Sequence, residues 1–161
     1  MKAATVHELK EELKHQSAAQ LLELCSRLAR FKKENKELLT YLLFEAHDEA
    51  AYINNVKVYI DSQFAEIPKD NSLYLVKKSL RKILRNVNKY IRYTGSKTAE
   101  VQLHLYYCHK LKESKIPIHK STALTNLYQG QLKKINKLLP SFHEDLQYDY
   151  RREAERLSMP D

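Results

Sequence analysis

The 161 residues carry 28 Lys and Arg against 20 Asp and Glu, a formal charge of +8, and 43 % are hydrophobic. That apolar share suffices for a packed core and excludes a disordered chain. Glycine numbers only two, Gly95 and Gly130, both isolated, so the sequence contains neither a P-loop nor a dinucleotide-binding fingerprint.

In chain order, Met1 to Glu12 alternates charged and apolar residues without an apolar h-region, so it does not read as a signal peptide. Thr5-Val6-His7-Glu8 is a capping box, because a Thr hydroxyl can accept the third helical amide while Glu reaches back. A first helix runs from Val6 to about Lys14. A second box, Ser17-Ala18-Ala19-Gln20, opens a helix to about Phe31 with Leu21, Leu24, Cys25 and Leu28 at helical spacing. The third helix, Lys33 to about Ala46, is apolar nearly all round at Leu38, Leu39, Tyr41, Leu42, Leu43 and Phe44, which predicts that its second half is central. Asp48 caps a fourth helix to about Phe64, and Ile67 to Asn71 is a loop with Pro and Asx turn chemistry. A fifth helix starts at Asn71 or Ser72 and runs to about Tyr93, where Gly95 stops it. The sixth spans about Ser96 to Glu113, the seventh opens at Ser121 and ends at Pro140, and Ser141-Phe142-His143-Glu144 reads as a third capping box for the last.

No stretch alternates with period two, and no Asn-Gly or Asp-Gly hairpin signal occurs. The expected fold is all-α, about eight helices over one domain, 1–161, in an irregular antiparallel bundle. The alternative is a short HEAT-like α-solenoid. The longest greasy uncharged run, Leu38 to Phe44, is far short of the ~20 residues that span a bilayer. Cys25 and Cys108 both sit in apolar helical patterns, so they are expected as buried free thiols, in keeping with a cytoplasmic protein.

Charge is unevenly spread. Residues 71–140 hold 15 basic and 2 acidic side chains, and no acid occurs between Asp70 and Glu100. On the fifth helix Leu73, Val76, Leu80, Ile83, Leu84 and Val87 mark one face. Lys78, Lys82, Arg85, Lys89 and Arg92, stepping by four and three, form a rail on the other, about 21 Å long, with Arg81 beside it. Like charges at these spacings repel by a few tenths of a kcal/mol per pair, and no Glu relieves them. Lys78, Arg81, Lys82, Arg85, Lys89 and Arg92 are therefore the expected polyanion-binding residues, for RNA or DNA held through phosphates with little sequence preference. Lys110, Lys112, Lys115, Lys133, Lys134 and Lys137 extend the positive charge. Tyr74, Tyr90 and Tyr93 are either core residues or stacking platforms for bases. The competing reading is a protein-interaction module. Its basic face docks an acidic partner or the acidic last helix, with Glu144, Asp145, Asp149, Glu153 and Glu155.

Signals for chemistry are weaker. His104 and Cys108 share a helix face, but a zinc site needs a third ligand and no second close pair is visible. Glu45, His47, Asp48 and Glu49 suit the start of a helix, whose dipole favours negative charge, as does His143 beside Glu144 and Asp145. The expectation is a non-enzymatic binding or adaptor protein with no catalytic residue, metal, cofactor or membrane partner.

The stretches Ala29 to Ala46, Lys77 to Arg85, and His143-Glu144-Asp145-Leu146-Gln147-Tyr148-Asp149-Tyr150 resemble a family of small bacterial all-helical proteins of uncharacterised function, over most of the chain. That resemblance implies a bacterial cytoplasmic setting and supplies no activity or site residue. Thr5 to Leu28 is similar to the helix–loop–helix of SAP-type DNA-binding motifs. Ser17-Ala18-Ala19-Gln20 replaces their connecting glycine, so the similarity implies a shared helical-hairpin pattern.

Overall fold

The computed structural model describes residues 2–68 and 72–159. Among them are eight α-helices and no strand: α1 Val6–Lys14, α2 Ala18–Phe31, α3 Lys33–Thr40, α4 Glu49–Ala65, α5 Leu73–Thr94, α6 Lys97–Glu113, α7 Thr122–Leu138 and α8 Glu144–Ser158. A π-helical turn, Tyr41–Glu45, follows α3, and short 3₁₀ turns flank α7 at Ile118–Lys120 and Leu139–Ser141. The all-α class follows from the 3.6-residue apolar period that runs through the chain. The Asx chemistry expected at Asp70 and Asn71 lies outside the described residues.

The chain divides into two compact units, Met1–Phe44 and Glu45–Asp161. In the first, both predicted capping boxes form. Thr5 Oγ1 accepts from Glu8 N at 3.3 Å while the Glu8 carboxylate accepts from Thr5 N at 2.7 Å, and Ser17 and Gln20 do the same. The Thr5 backbone N–H and, after it, the Thr5 hydroxyl both donate to the Glu8 carboxylate, each at 2.7 Å, and hold that carboxyl below its usual range. A single extended residue, Lys32, turns the chain from α2 into α3, and Asn35 Nδ2 donates to Leu28 O across that corner. None of the three helices contains a buried residue, and Tyr41 in the π turn is the only buried side chain described between 2 and 44. The prediction that the end of the third helix is central fails for Leu38, Leu42, Leu43 and Phe44, which are exposed, and holds for Tyr41, which is buried.

The core belongs to the second unit. α6 sits at its centre and packs against α4, α5, α7 and α8. Val101, Leu103, Leu105, Tyr107, Cys108 and Leu111 are all buried, so α6 is apolar on more than one face, as a central helix must be. Tyr107 is fully buried and donates its hydroxyl to Leu80 O at 3.1 Å, and burial raises its pKa. Tyr52 donates to Tyr90 O, and Asn86 to Tyr59 Oη at 2.6 Å, so α4 grips the inner side of α5 with hydrogen bonds as well as apolar contact.

Two local expectations are corrected. Cys108 is buried and its thiol is pushed up to about 12, whereas Cys25 is exposed on α2. Ser141 does not cap α8. Its hydroxyl donates to Leu138 O, the N-cap is His143 without a side-chain bond, and Phe142 precedes the helix and stacks edge-on against Tyr150 at 5.2 Å. Leu139, Pro140 and Ser141 continue α7 as a 3₁₀ turn, which carries Ser141 away from the cap position.

Gly95 ends α5 in the left-handed conformation, φ +61°, where its N–H donates to Ile91 O. No atom lies within 4 Å of a Cβ built there, so Gly95→Ala meets only conformational strain. The substitution is expected to destabilise by about 1 kcal/mol. Urea unfolding would read this as a lower midpoint with an unchanged m-value.

Candidate nucleic-acid interface

α5 is a 22-residue helix whose inner face buries Val76, Leu80, Ile83, Leu84, Val87 and Ile91. The Ser72 hydroxyl caps its start by accepting from Leu75 N, and Gly95 caps its end. The apolar face fixes the rotation of the helix, and that rotation fixes where the cations point. Lys78, Arg81, Lys82, Arg85 and Arg92 are exposed, and no described carboxylate lies within ion-pair distance of them. Lys89 differs: it is half-buried, with its ammonium 5.1 Å from the centre of the Tyr90 ring.

The N-terminal half of α5 frames a shallow groove of about 420 Å³, lined by Tyr74, Lys77, Lys78, Arg81, Lys82 and Arg85. Four of the six expected polyanion-binding residues, Lys78, Arg81, Lys82 and Arg85, thus converge, while Lys89 and Arg92 lie further along the helix. The groove adds Lys77, which the four-three rail omits. The row Lys77, Arg81, Arg85, at steps of four, is the sequence signal for it.

The three tyrosines separate. Tyr74 is 68 % exposed and has the Lys77 ammonium 5.7 Å from its ring centre. Tyr90 and Tyr93 are half-buried and pack edge-on with each other, and Tyr90 also packs on Tyr59 at 5.4 Å. Tyr74 alone of the three is placed as a stacking surface.

The cations expected to extend the field do not all serve it. Lys110 pairs with Asp61 at 3.1 Å and Glu113 at 3.4 Å, and Lys112 donates to Met159 O at 2.8 Å. Asp61 also accepts the Tyr106 hydroxyl at 2.7 Å. Burial and Asp61 together raise the Tyr106 pKa, and the hydrogen bond to Asp61 raises that of Lys110. Lys133, Lys134 and Lys137 are exposed on α7. The acidic α8 packs on α6 and α7, where Glu153 Oε1 is hydrogen-bonded to His109 Nε2 at 2.8 Å.

The other candidates resolve into structure. Asp48 is the N-cap of α4 and accepts from Ala51 N at 2.9 Å, with His47 exposed beside it. His143 is exposed, its Nδ1 3.7 Å from Asp145. His104 and Cys108 are both buried inside the core, and among the described residues no three His, Cys, Asp or Glu side chains converge as metal ligands. A second groove, about 690 Å³, lies between the end of α6, the Ile118–Lys120 turn and the end of α8. Its walls are mainly apolar, including Ile116, Pro117, Tyr128 and Leu157. Among the described residues no helix is long and apolar enough to cross a membrane.

No protein-family model matches the sequence, and no curated protein or solved structure matches it significantly.

Proposed function

We propose that this protein binds nucleic acid through the outer face of α5, by neutralising phosphates rather than reading bases. The observation that carries this reading is the groove in which Lys77, Lys78, Arg81, Lys82 and Arg85 gather beside an exposed Tyr74, with no described carboxylate paired to Lys78, Arg81, Lys82 or Arg85. Repulsion among these cations lowers helix stability and earns nothing inside the fold, so a polyanion that releases it has a favourable term waiting. Lys and Arg against phosphate carry no sequence information, and one exposed tyrosine adds sequence-tolerant stacking. The role is non-enzymatic and set in a bacterial cytoplasm, where an exposed free thiol such as Cys25 stays reduced.

An acidic protein is the second reading, since the same cations would meet carboxylates. Flat exposed charge and the adjacent aromatic ring favour phosphates and bases over it. The chain's own α8 is a poorer occupant, because its Glu153 is engaged with His109 and its inner face with α6 and α7.

The test is fluorescence anisotropy with labelled single-stranded RNA, single-stranded DNA and duplex DNA of unrelated sequences, titrated with salt. Five neutralised phosphates predict a log–log slope of about −3.5 on single strands and about −4.5 on duplex. Affinities should vary little between sequences of one type. Failure of every form to bind at low salt would remove the proposal.

A further inference from the structure

The groove on α5 sets a single aromatic ring among cations. Tyr74, Lys78, Lys82 and Arg85 step by four, four and three, so the ring opens the same rail that the cations continue. Phe31, Phe44 and Tyr148 are exposed too, but Tyr74 is the one that lines this groove. Lys77 holds its ammonium 5.7 Å from the ring centre, and the ring is still 68 % exposed, which leaves it open to a second planar group. Beyond Lys and Arg, the side chains that read base edges in a duplex are Asn, Gln, Asp, Glu, Ser and Thr. The groove is lined by none of them. Besides charge it offers the face of a ring, and the matching surface on a nucleic acid is the face of a base. In a duplex, neighbouring base pairs cover that face; in a single strand it is open to stacking.

On the premise that α5 binds nucleic acid, we infer that its ligand is a single strand, with one unpaired base stacked on Tyr74 and the adjoining phosphates running along Lys78, Lys82 and Arg85. The footprint is short. Tyr74 to Arg85 spans about 17 Å at the helical rise, which about five nucleotides fill at ~3.4 Å each when stacked, and fewer when the strand is stretched. Past Arg85 the groove ends, and Lys89 turns its ammonium to the Tyr90 ring, 5.1 Å from its centre. Stacking and charge divide the work. The cations hold any phosphate chain, paired or not, while the ring adds affinity only where a base is free to lie on it.

The test uses the full chain and three DNA probes: a thymidine strand of about eight nucleotides, an abasic deoxyribose-phosphate strand of the same length, and a duplex of about 20 base pairs. The unaltered protein should bind the thymidine strand about 5- to 150-fold more tightly than the abasic strand, although the two carry the same phosphates. Tyr74→Ala should remove that advantage and leave the abasic strand and the duplex bound within about 2-fold of before. The salt dependence on each probe should stay the same, because no phosphate contact is lost. Tyr74→Phe keeps the ring and should bind the thymidine strand within about 3-fold of the parent. Tyr74 is exposed, so both variants should keep the parent's circular dichroism. Equal binding of the thymidine and abasic strands by the parent, or a loss in Tyr74→Ala that is absent on the thymidine strand or equal on all three probes, would overturn the inference while phosphate binding by α5 stands. Failure of the parent to bind any of the three at low salt would remove both.

Discussion

Arg81→Glu, Lys82→Glu and Arg85→Glu, combined in one chain, are expected to abolish binding to RNA and DNA while leaving the fold intact. Three lost charge-assisted contacts at about 1.5 kcal/mol each give ~10³-fold weaker binding before any repulsion is counted. The three positions are exposed, and their helix is held from its other side by Leu80, Ile83, Leu84 and Val87. Each new carboxylate would also stand four residues from a remaining cation: Lys77, Lys78 and Lys89 respectively. Opposite charges at that spacing stabilise a helix by a few tenths of a kcal/mol per pair. Thermal unfolding should therefore move little, or slightly upward, as binding disappears. Anisotropy and circular dichroism on the same preparation check both halves. Unchanged binding would place the polyanion elsewhere, and loss of the fold would show that the cations are structural.

The predictability of α5 and the misplacement of the first unit have one cause. Periodicity along one helix tells which of its faces is apolar, and for α5 that face met α4 and α6, so the cations had to point outward. The same periodicity at Leu42, Leu43 and Phe44 cannot tell whether another layer exists to cover them, and all three side chains are exposed. Capping shows a similar divide. Thr5-Glu8 and Ser17-Gln20 formed because nothing competes for their hydroxyls, whereas Ser141 was carried into the 3₁₀ continuation of α7 and bonds backward to Leu138. Within the candidate site, Lys78, Lys82 and Arg85 were legible from spacing alone, with Arg81 beside them. The exposure of Tyr74 was not, because an aromatic residue near a helix start fits the core and the surface equally well until the rotation of the helix is known.

The acid limb of stability should be governed in part by His104. This side chain is 1 % exposed on the central helix, and its Nδ1 has no hydrogen-bond partner among the described residues. Burial, and secondarily the charge of Lys134, lowers its pKa from 6.5 to about 4, so it stays neutral in the folded chain at physiological pH. The unfolded chain takes up a proton near pH 6.5 that the folded chain refuses until near pH 4. Stability is therefore full above about pH 6.5 and falls as the pH drops through the interval down to about 4, by roughly 3 kcal/mol over the whole window. His104→Leu removes the titrating group together with a buried polar atom that bonds to nothing. Replacing an unsatisfied buried polar group by an apolar one of similar size is close to neutral or mildly stabilising. The variant should match or slightly exceed the parent at pH 7.5, and exceed it by about 2 kcal/mol or more at pH 4.5, because only the parent's unfolded state gains by taking up a proton there. Urea unfolding of both proteins at pH 7.5, 6.0 and 4.5 measures the difference directly, since every other ionisable group is common to the pair. A constant difference across the three pH values would mean that His104 does not remain neutral inside the core.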